Sequence, residues 1–299
     1  MVSPFRPELL NEHRIVVTGA GSGLGREISK ALAAHGATVH LWGRRESALA
    51  ETAALLEEIR PGSAVAQPVD VRDAEAVEAA MDAAGAVTGL VNGAAANFVA
   101  PTAGLSPRAY RAVASTVMDG SYYATHAAGT RWIAAGRPGA VVSLLTTWVG
   151  TGSAYVVPAA MAKAAVHAMT MSLAVEWARH GIRLNAVAPG PVHTDYAWQV
   201  LDPGRDDIVG ATDPRGVPLG RLGTAEEVAN LVVFLLSDAC DYLTGETVTM
   251  DGGQRLAGPA TFASLGALTD DDWARLRERA RAASAASRAE RDPSPGGTT

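Results

Sequence analysis

The sequence holds a single cysteine, Cys240, among its 299 residues. One thiol cannot close an internal disulfide and cannot build a zinc site on paired cysteines; it fits a reducing compartment. Basic charge is also in short supply, with 25 Lys and Arg against 31 Asp and Glu and a net charge of -6. A protein that tracks a phosphate backbone needs dense positive charge, so no nucleic-acid partner is expected. No basic-then-apolar leader opens the chain, and the expectation is a cytoplasmic protein. One uncharged stretch, Gly139 to Ala162, has the length of a membrane span. Gly150, Gly152 and Pro158 interrupt it and Ser and Thr are scattered through it, so no membrane partner is expected. The 7 histidines form no ligand pair at helical spacing, and no metal is expected. What the chain does have is apolar material, 48% of residues, enough for a sizeable core.

That material is arranged in alternation. β-rich runs occur at Arg14–Val17, Thr38–Trp42, Ala64–Val69, Gly89–Val91, Ala140–Val142, Ile182–Val187 and Glu246–Thr249. Helical patterns lie between them, at about 23–35, 46–58, 74–83, 107–135, 158–180 and 224–236. Strands separated by helices longer than two turns predict right-handed crossovers and a parallel sheet. The strands are nearly all apolar, as burial on both faces requires. The fold expected is α/β: a single doubly wound Rossmann domain, about seven parallel strands with helices on both faces. The organisation expected is an arm over 1–12 and a dinucleotide-binding and catalytic domain over 13–256. A helical extension over 257–283, opened by Thr269 and Asp272 as a cap, and a disordered tail over 284–299 follow. Within the domain, 193–220 is rich in Pro, Gly and Asp and reads as a lid or substrate loop.

The first strand runs into Thr18-Gly19-Ala20-Gly21-Ser22-Gly23-Leu24-Gly25 and then into a helix. In that context Gly19 permits a tight turn, Gly23 lets backbone approach a pyrophosphate, and Gly25 lets helix and strand pack closely. The pyrophosphate would meet free N–H groups and the positive end of the helix dipole. At the end of the second strand, where a carboxylate would bind ribose hydroxyls, the chain has Gly43 followed by Arg44 and Arg45. A guanidinium pairs with a 2′-phosphate, so NADP(H) is the cofactor expected. Asp70 is a candidate partner for the adenine amino group.

The Thr18–Gly25 motif, Asn92-Gly93-Ala94-Ala95, Lys163 on a long helix and Pro189-Gly190 together resemble the short-chain dehydrogenase/reductase family over roughly Arg14 to Gly253. Ala94-Ala95-Ala96-Asn97-Phe98, Leu173-Ala174-Val175-Glu176-Trp177, Leu201-Asp202-Pro203 and Arg221-Leu222-Gly223-Thr224 are most similar to the 2,4-dienoyl-CoA reductases of that family. The resemblance implies cofactor contacts from Thr18, Ser22, Leu24, Val71, Asn92, Gly93, Ala94, Pro189, Gly190 and Val192 as well, and from Lys163 at the nicotinamide ribose. It also implies a homotetramer.

Most members carry a tyrosine four residues before the lysine, which gives a proton to the substrate oxygen. Here that position is Ala159. The serine position is Thr146 and the asparagine position Asp119. Dienoyl reductases also lack that tyrosine; the mitochondrial type moves one to the place held here by Trp148, after Thr146-Thr147. The peroxisomal type is thought to use an acidic residue, the lysine and water, and Asp119 with Lys163 resembles that arrangement. The catalytic residues this implies are Lys163, Asp119 and Thr146. Candidate substrate contacts are Asn97, Phe98, Trp148, Tyr155, Tyr196 and Trp198, serving a small-molecule or acyl-thioester substrate. The activity expected is NADPH-dependent reduction of a conjugated C=C bond. Three alternatives stay open: a silent NADP-binding protein, non-redox chemistry, and a carbonyl reductase that uses Tyr155 or water.

Overall fold

The computed structural model describes residues 5–193, 213–258, 265 and 268–279. The chain divides into two units, Met1–Arg255 and Leu256–Thr299. Among its described residues the first unit holds seven strands: β1 Arg14–Thr18, β2 Thr38–Gly43, β3 Ala64–Pro68, β4 Gly89–Asn92, β5 Gly139–Leu144, β6 Ile182–Pro189 and β7 Thr247–Met250. They form one sheet in the order β3-β2-β1-β4-β5-β6-β7, every pair parallel. The helices are α1 Gly23–Ala34, α2 Glu46–Ile59, α3 Ala74–Ala84, α4 Pro107–Ala114, α5 Gly120–Ala135, α6 Trp148–Thr151, α7 Val157–Glu176 and α8 Ala225–Leu236.

Alternate strand residues feed opposite layers, because side chains on a strand point to alternate faces. Ile15 and Val17 pack with Ile28 and Leu32 of α1, Leu49 and Leu56 of α2 and Val232 and Leu236 of α8. Val16, on the other face, joins Val77 and Met81 of α3 and Trp132 of α5. The expectation of burial on both faces fails at the edges. In β3, Val65 is 37% exposed, and β7 is half-buried along its length. Each edge strand has one neighbour only, and the helical layers do not reach past it.

Two helices depart from the lengths read in sequence. The pattern over 107–135 is not one helix: α4 and α5 are joined by a π-helical turn, Ser115–Asp119. Hydroxyls in and just after it bond back along the chain, Thr116 to the Ala112 carbonyl at 2.9 Å and Ser121 of α5 to the Val117 carbonyl at 2.6 Å. Such bonds loosen the regular ladder, and π turns concentrate at functional sites. The helix read as far as His180 ends instead at Glu176, followed by the short turn Ala178–His180. No described helix is long and apolar enough to cross a membrane. In the second unit, helix 270–279 is capped reciprocally: Thr269 donates to Asp272 through N–H (2.9 Å) and hydroxyl (2.7 Å). The Asp272 N–H donates back to the Thr269 hydroxyl at 3.3 Å.

The strand order reverses between β1 and β4. Connections run one way from β1 to β2 and the other way from β4 to β5, leaving a crevice at the C-terminal ends of β1 and β4.

Candidate active site

Thr18 ends β1 and ties that crevice together. Its hydroxyl accepts from the N–H groups of Gly93 and Ala94, both at 3.0 Å, and donates to the Val91 carbonyl at 3.3 Å. Thr18 is 2% exposed, and its side chain positions the β4 turn. Asn92 is also 2% exposed; its amide nitrogen donates to the Thr125 and Ser143 hydroxyls at 2.8 and 3.3 Å, while its Oδ1 is buried without a hydrogen-bond partner.

Gly19 and Gly25 stand where only glycine fits. Gly19 has φ +74°, and a Cβ there would sit 2.9 Å from the Gly93 carbonyl. A Cβ on Gly25 would sit 2.2 Å from the Gly19 carbonyl, so only glycine lets α1 start against the loop. Ser22 is the N-cap of α1, yet its hydroxyl caps nothing. Among the described residues the N–H groups of Gly21 and Ser22 donate to no protein atom.

A cleft of about 300 Å³ opens beside this loop. It brings together Gly19, Ser22, Arg44, Arg45, Asp70, Val71 and Ala94 from the sequence reading. It also takes in Gly21, Ala48 and Leu49 at the start of α2, and Thr116 from the π turn, which sequence reasoning missed. Ala48 and Leu49 could have been found from their place one turn after the arginines; nothing in sequence marks Thr116. Asp70 is already occupied. Its two oxygens accept from Arg72, with Nη2 at 2.5 Å, Nε at 2.9 Å and the backbone N–H at 3.1 Å. These bonds hold its carboxyl below the usual value and leave it little capacity for an adenine amino group. Arg44 and Arg45 are exposed and make no ion pair among the described residues. The cleft therefore offers free N–H groups at the loop and unpaired guanidinium charge at the far end, which fits a dinucleotide with a 2′-phosphate.

Farther along the C-terminal edge, α7 places Ala159 and Lys163 one turn apart on one face. Ala159 is 4% exposed, inside an apolar cluster with Val113, Val117, Leu145 and Val166, against which Phe98 and Trp148 also pack. Lys163 is 8% exposed, and its ammonium donates a hydrogen bond to the Leu144 carbonyl. Burial lowers its pKa to about 8. No ion pair reaches Lys163 among the described residues, so Asp119, half-buried at the end of the π turn, does not pair with it directly. The Thr146 hydroxyl oxygen is buried without a hydrogen-bond partner. An unpartnered buried hydroxyl costs stability, and an orphan of this kind at a strand end marks a place made for something else.

Tyr155 lies at the surface. It is 59% exposed, with φ +64°, and its polar contact is its own carbonyl accepting from Ala100 N–H at 2.9 Å. Asn97 turns its carbonyl oxygen onto the Phe98 N–H at 2.9 Å. At the end of β6, Gly190 donates to Met250 at 3.0 Å and lies where a Cβ would meet Asp251 at 2.6 Å. Val192 is 8% exposed and bridges to Gly223, following Pro189 out of the sheet. Tyr196, Trp198 and most of the expected lid, 194–212, lie outside the described residues, as does the expected tail. From 213 to 220 the loop makes the turn Pro214–Gly216.

The family model described as Enoyl-(Acyl carrier protein) reductase matches residues 19–255. The chain belongs to the short-chain dehydrogenase/reductase family of oxidoreductases. It is 37% identical to a Bacillus subtilis (strain 168) protein named a probable 2,4-dienoyl-CoA reductase, over 83% of this chain and 98% of that one. It is 34% identical to a peroxisomal 2,4-dienoyl-CoA reductase of Danio rerio, over 83% of each. Among solved structures it resembles a gluconate 5-dehydrogenase from Burkholderia cenocepacia J2315 in complex with NADP and tartrate. That match has TM-score 0.76 and 28% identity over 84% of this chain and 99% of that one. Position 159, four residues before Lys163, is an alanine buried in the apolar cluster.

Proposed function

We propose that this short-chain reductase uses NADPH to reduce a conjugated C=C bond in an acyl thioester or related enone, without a tyrosine proton donor. The observation that carries the proposal is Ala159, sealed into an apolar cluster while Lys163 and the unpartnered Thr146 hydroxyl stand at the same strand ends. A site stripped of its phenol suits a substrate that needs no immediate proton on oxygen. NADPH, when bound, supplies a hydride to the far end of the conjugated system. The electron pair displaced from the C=C bond moves onto the thioester or enone oxygen, and a proton from water then reaches carbon. The Thr146 hydroxyl has a free donor for the oxygen that gains charge. Lys163 contributes positive charge, braced by the Leu144 carbonyl, and orients the nicotinamide ribose. Asp119 forms no ion pair with Lys163, so its part is to hold the water that protonates carbon; ionised, it can only accept. Phe98 and Trp148 supply an apolar wall for the conjugated chain.

The relatives named as dienoyl-CoA reductases support this substrate class, and Arg44 and Arg45 support NADPH over NADH. The same buried alanine favours one second reading, a nucleotide-binding protein without turnover. NADPH consumption with 2,4-dienoyl-CoA, simple enones and ketones separates them. The proposal expects turnover of dienoyl thioesters or enones; turnover of ketones alone, or tight NADPH binding with none, overturns it. Exposed Tyr122 on α5 and Met161, Met171 and Val175 on α7 support assembly as a homotetramer, which light scattering tests.

A further inference from the structure

Arg26, the first residue after the glycine motif, does not face the cleft. Its Nη2 donates to the Gly21 carbonyl at 2.8 Å and to Glu51 at 3.0 Å, and its Nε donates to the Thr52 hydroxyl at 3.1 Å. Thr52, on α2 and fully buried, shares its one hydroxyl hydrogen between the Ala20 carbonyl of the loop and the Ala48 carbonyl of its own helix, both at 3.1 Å. Two successive carbonyls of the phosphate loop are thus held by one brace that runs from α1 to α2. Gly21 also lies close enough that a Cβ would touch the Ala48 methyl at 3.0 Å, so loop and helix are already in contact.

Every peptide bond here is trans. In a trans peptide the carbonyl of one residue and the N–H of the next point in opposite directions. Holding the Ala20 carbonyl therefore turns the Gly21 N–H away from Thr52, and holding the Gly21 carbonyl turns the Ser22 N–H away from Arg26. Among the described residues neither N–H has a protein acceptor, and both residues line the cleft. The same α2 begins just after Arg44 and Arg45.

We propose that Arg26 is a positioning residue: with Thr52 it fixes the peptide planes that aim the Gly21 and Ser22 N–H groups at the pyrophosphate of the bound dinucleotide. This rests on the dinucleotide reading above. An unbraced loop would rotate those planes, so the energy of binding would be spent on ordering it. The loss belongs to the pyrophosphate and not to the 2′-phosphate, which distinguishes Arg26 from Arg44. The Arg26–Glu51 pair is partly exposed, so that arm of the brace contributes little to folding.

The test titrates the parent, Arg26→Met, Arg26→Lys and Thr52→Val with NADPH, NADH and adenosine 2′-monophosphate, which has no pyrophosphate. Arg26→Met should weaken NADPH and NADH alike, about tenfold or more, and leave adenosine 2′-monophosphate within about twofold. Arg26→Lys should recover most of the loss, since an ammonium can still reach the Gly21 carbonyl. Thr52→Val, which keeps the side-chain volume, should reproduce a smaller loss and serves if Arg26→Met does not fold. Unchanged NADPH affinity in Arg26→Met, or an equal loss for adenosine 2′-monophosphate, overturns the inference alone. A parent that binds neither nicotinamide nucleotide overturns the dinucleotide reading and this inference with it.

Discussion

Replacing Lys163 with methionine should make the nucleotide-free protein more stable while it ends catalysis. Burial lowers the lysine from its ordinary 10.5 to about 8. Holding it protonated inside the folded protein at neutral pH therefore costs roughly 3 kcal/mol. Methionine is close in volume and carries no charge, but it abandons the Leu144 carbonyl, a loss of about 1 kcal/mol. The net expectation is a gain of about 2 kcal/mol at pH 7, or roughly 3 °C in Tm. The pH dependence identifies the cause. Below about pH 8 the lysine is protonated in both folded and unfolded states, and the full penalty is present. Between about 8 and 10.5 the unfolded chain binds the extra proton, so parental stability rises with pH and the methionine advantage shrinks. By about pH 9.5 less than half of the penalty remains, and the two proteins should be nearly equal. Urea midpoints of both proteins at pH 7 and 9.5, at one protein concentration and without nucleotide, measure this. A variant less stable than its parent at pH 7, or a difference that does not change with pH, would refute the reasoning.

Four other outcomes follow from the same geometry. Thr146→Val removes a buried hydroxyl that bonds to nothing, so stability should hold or rise by about 1 kcal/mol. Turnover on the dienoyl or enone substrate should fall by about 10²-fold or more, and retained turnover would remove Thr146 from the mechanism. Arg44→Ala should weaken NADPH by about 10–100-fold and NADH hardly at all, read by fluorescence titration; equal losses would dismiss the 2′-phosphate role. Gly139→Ala puts a methyl 2.3 Å from the ring of fully buried Trp132, whose indole N–H is held by the Val87 carbonyl at 2.7 Å. A loss of roughly 1–3 kcal/mol is expected in the urea midpoint, and an unchanged midpoint would show that the ring can move. His40, held down by burial between Gln67 and Arg14, takes up a proton less readily folded than unfolded. Stability should fall as pH drops below 6.5, and His40→Gln should flatten that part of the profile.

The elements themselves were legible because their causes are local. Val16, Val39, Leu90 and Val141 sit in short apolar runs separated by helical periodicity, and that alternation admits few folds besides a parallel sheet. The glycine motif was legible for the same reason: the contact that demands Gly25 is with Gly19, six residues away in the same loop. The π turn was not. Beside it Gly120 comes so close to Val71, nearly fifty residues back, that a Cβ would stand 2.6 Å from the valine methyl, a contact between distant segments that no local pattern records.

By itself the sequence determined the strand–helix alternation, the loop at Thr18–Gly25, the missing phenol at position 159 and the arginines at 44 and 45, since each depends on residue type and neighbours along the chain. Tertiary structure alone decided which polar groups remain available. It spent the Thr18 hydroxyl on Gly93 and Ala94 and the Asp70 carboxylate on Arg72, and it left the Thr146 oxygen without a partner. It also set Tyr155 out in solvent and drew Arg26 onto the loop carbonyl. A side chain's chemistry is written in its type, but its spare hydrogen-bonding capacity depends on what folding brings within 3.5 Å of it, and that is a property of distant segments meeting.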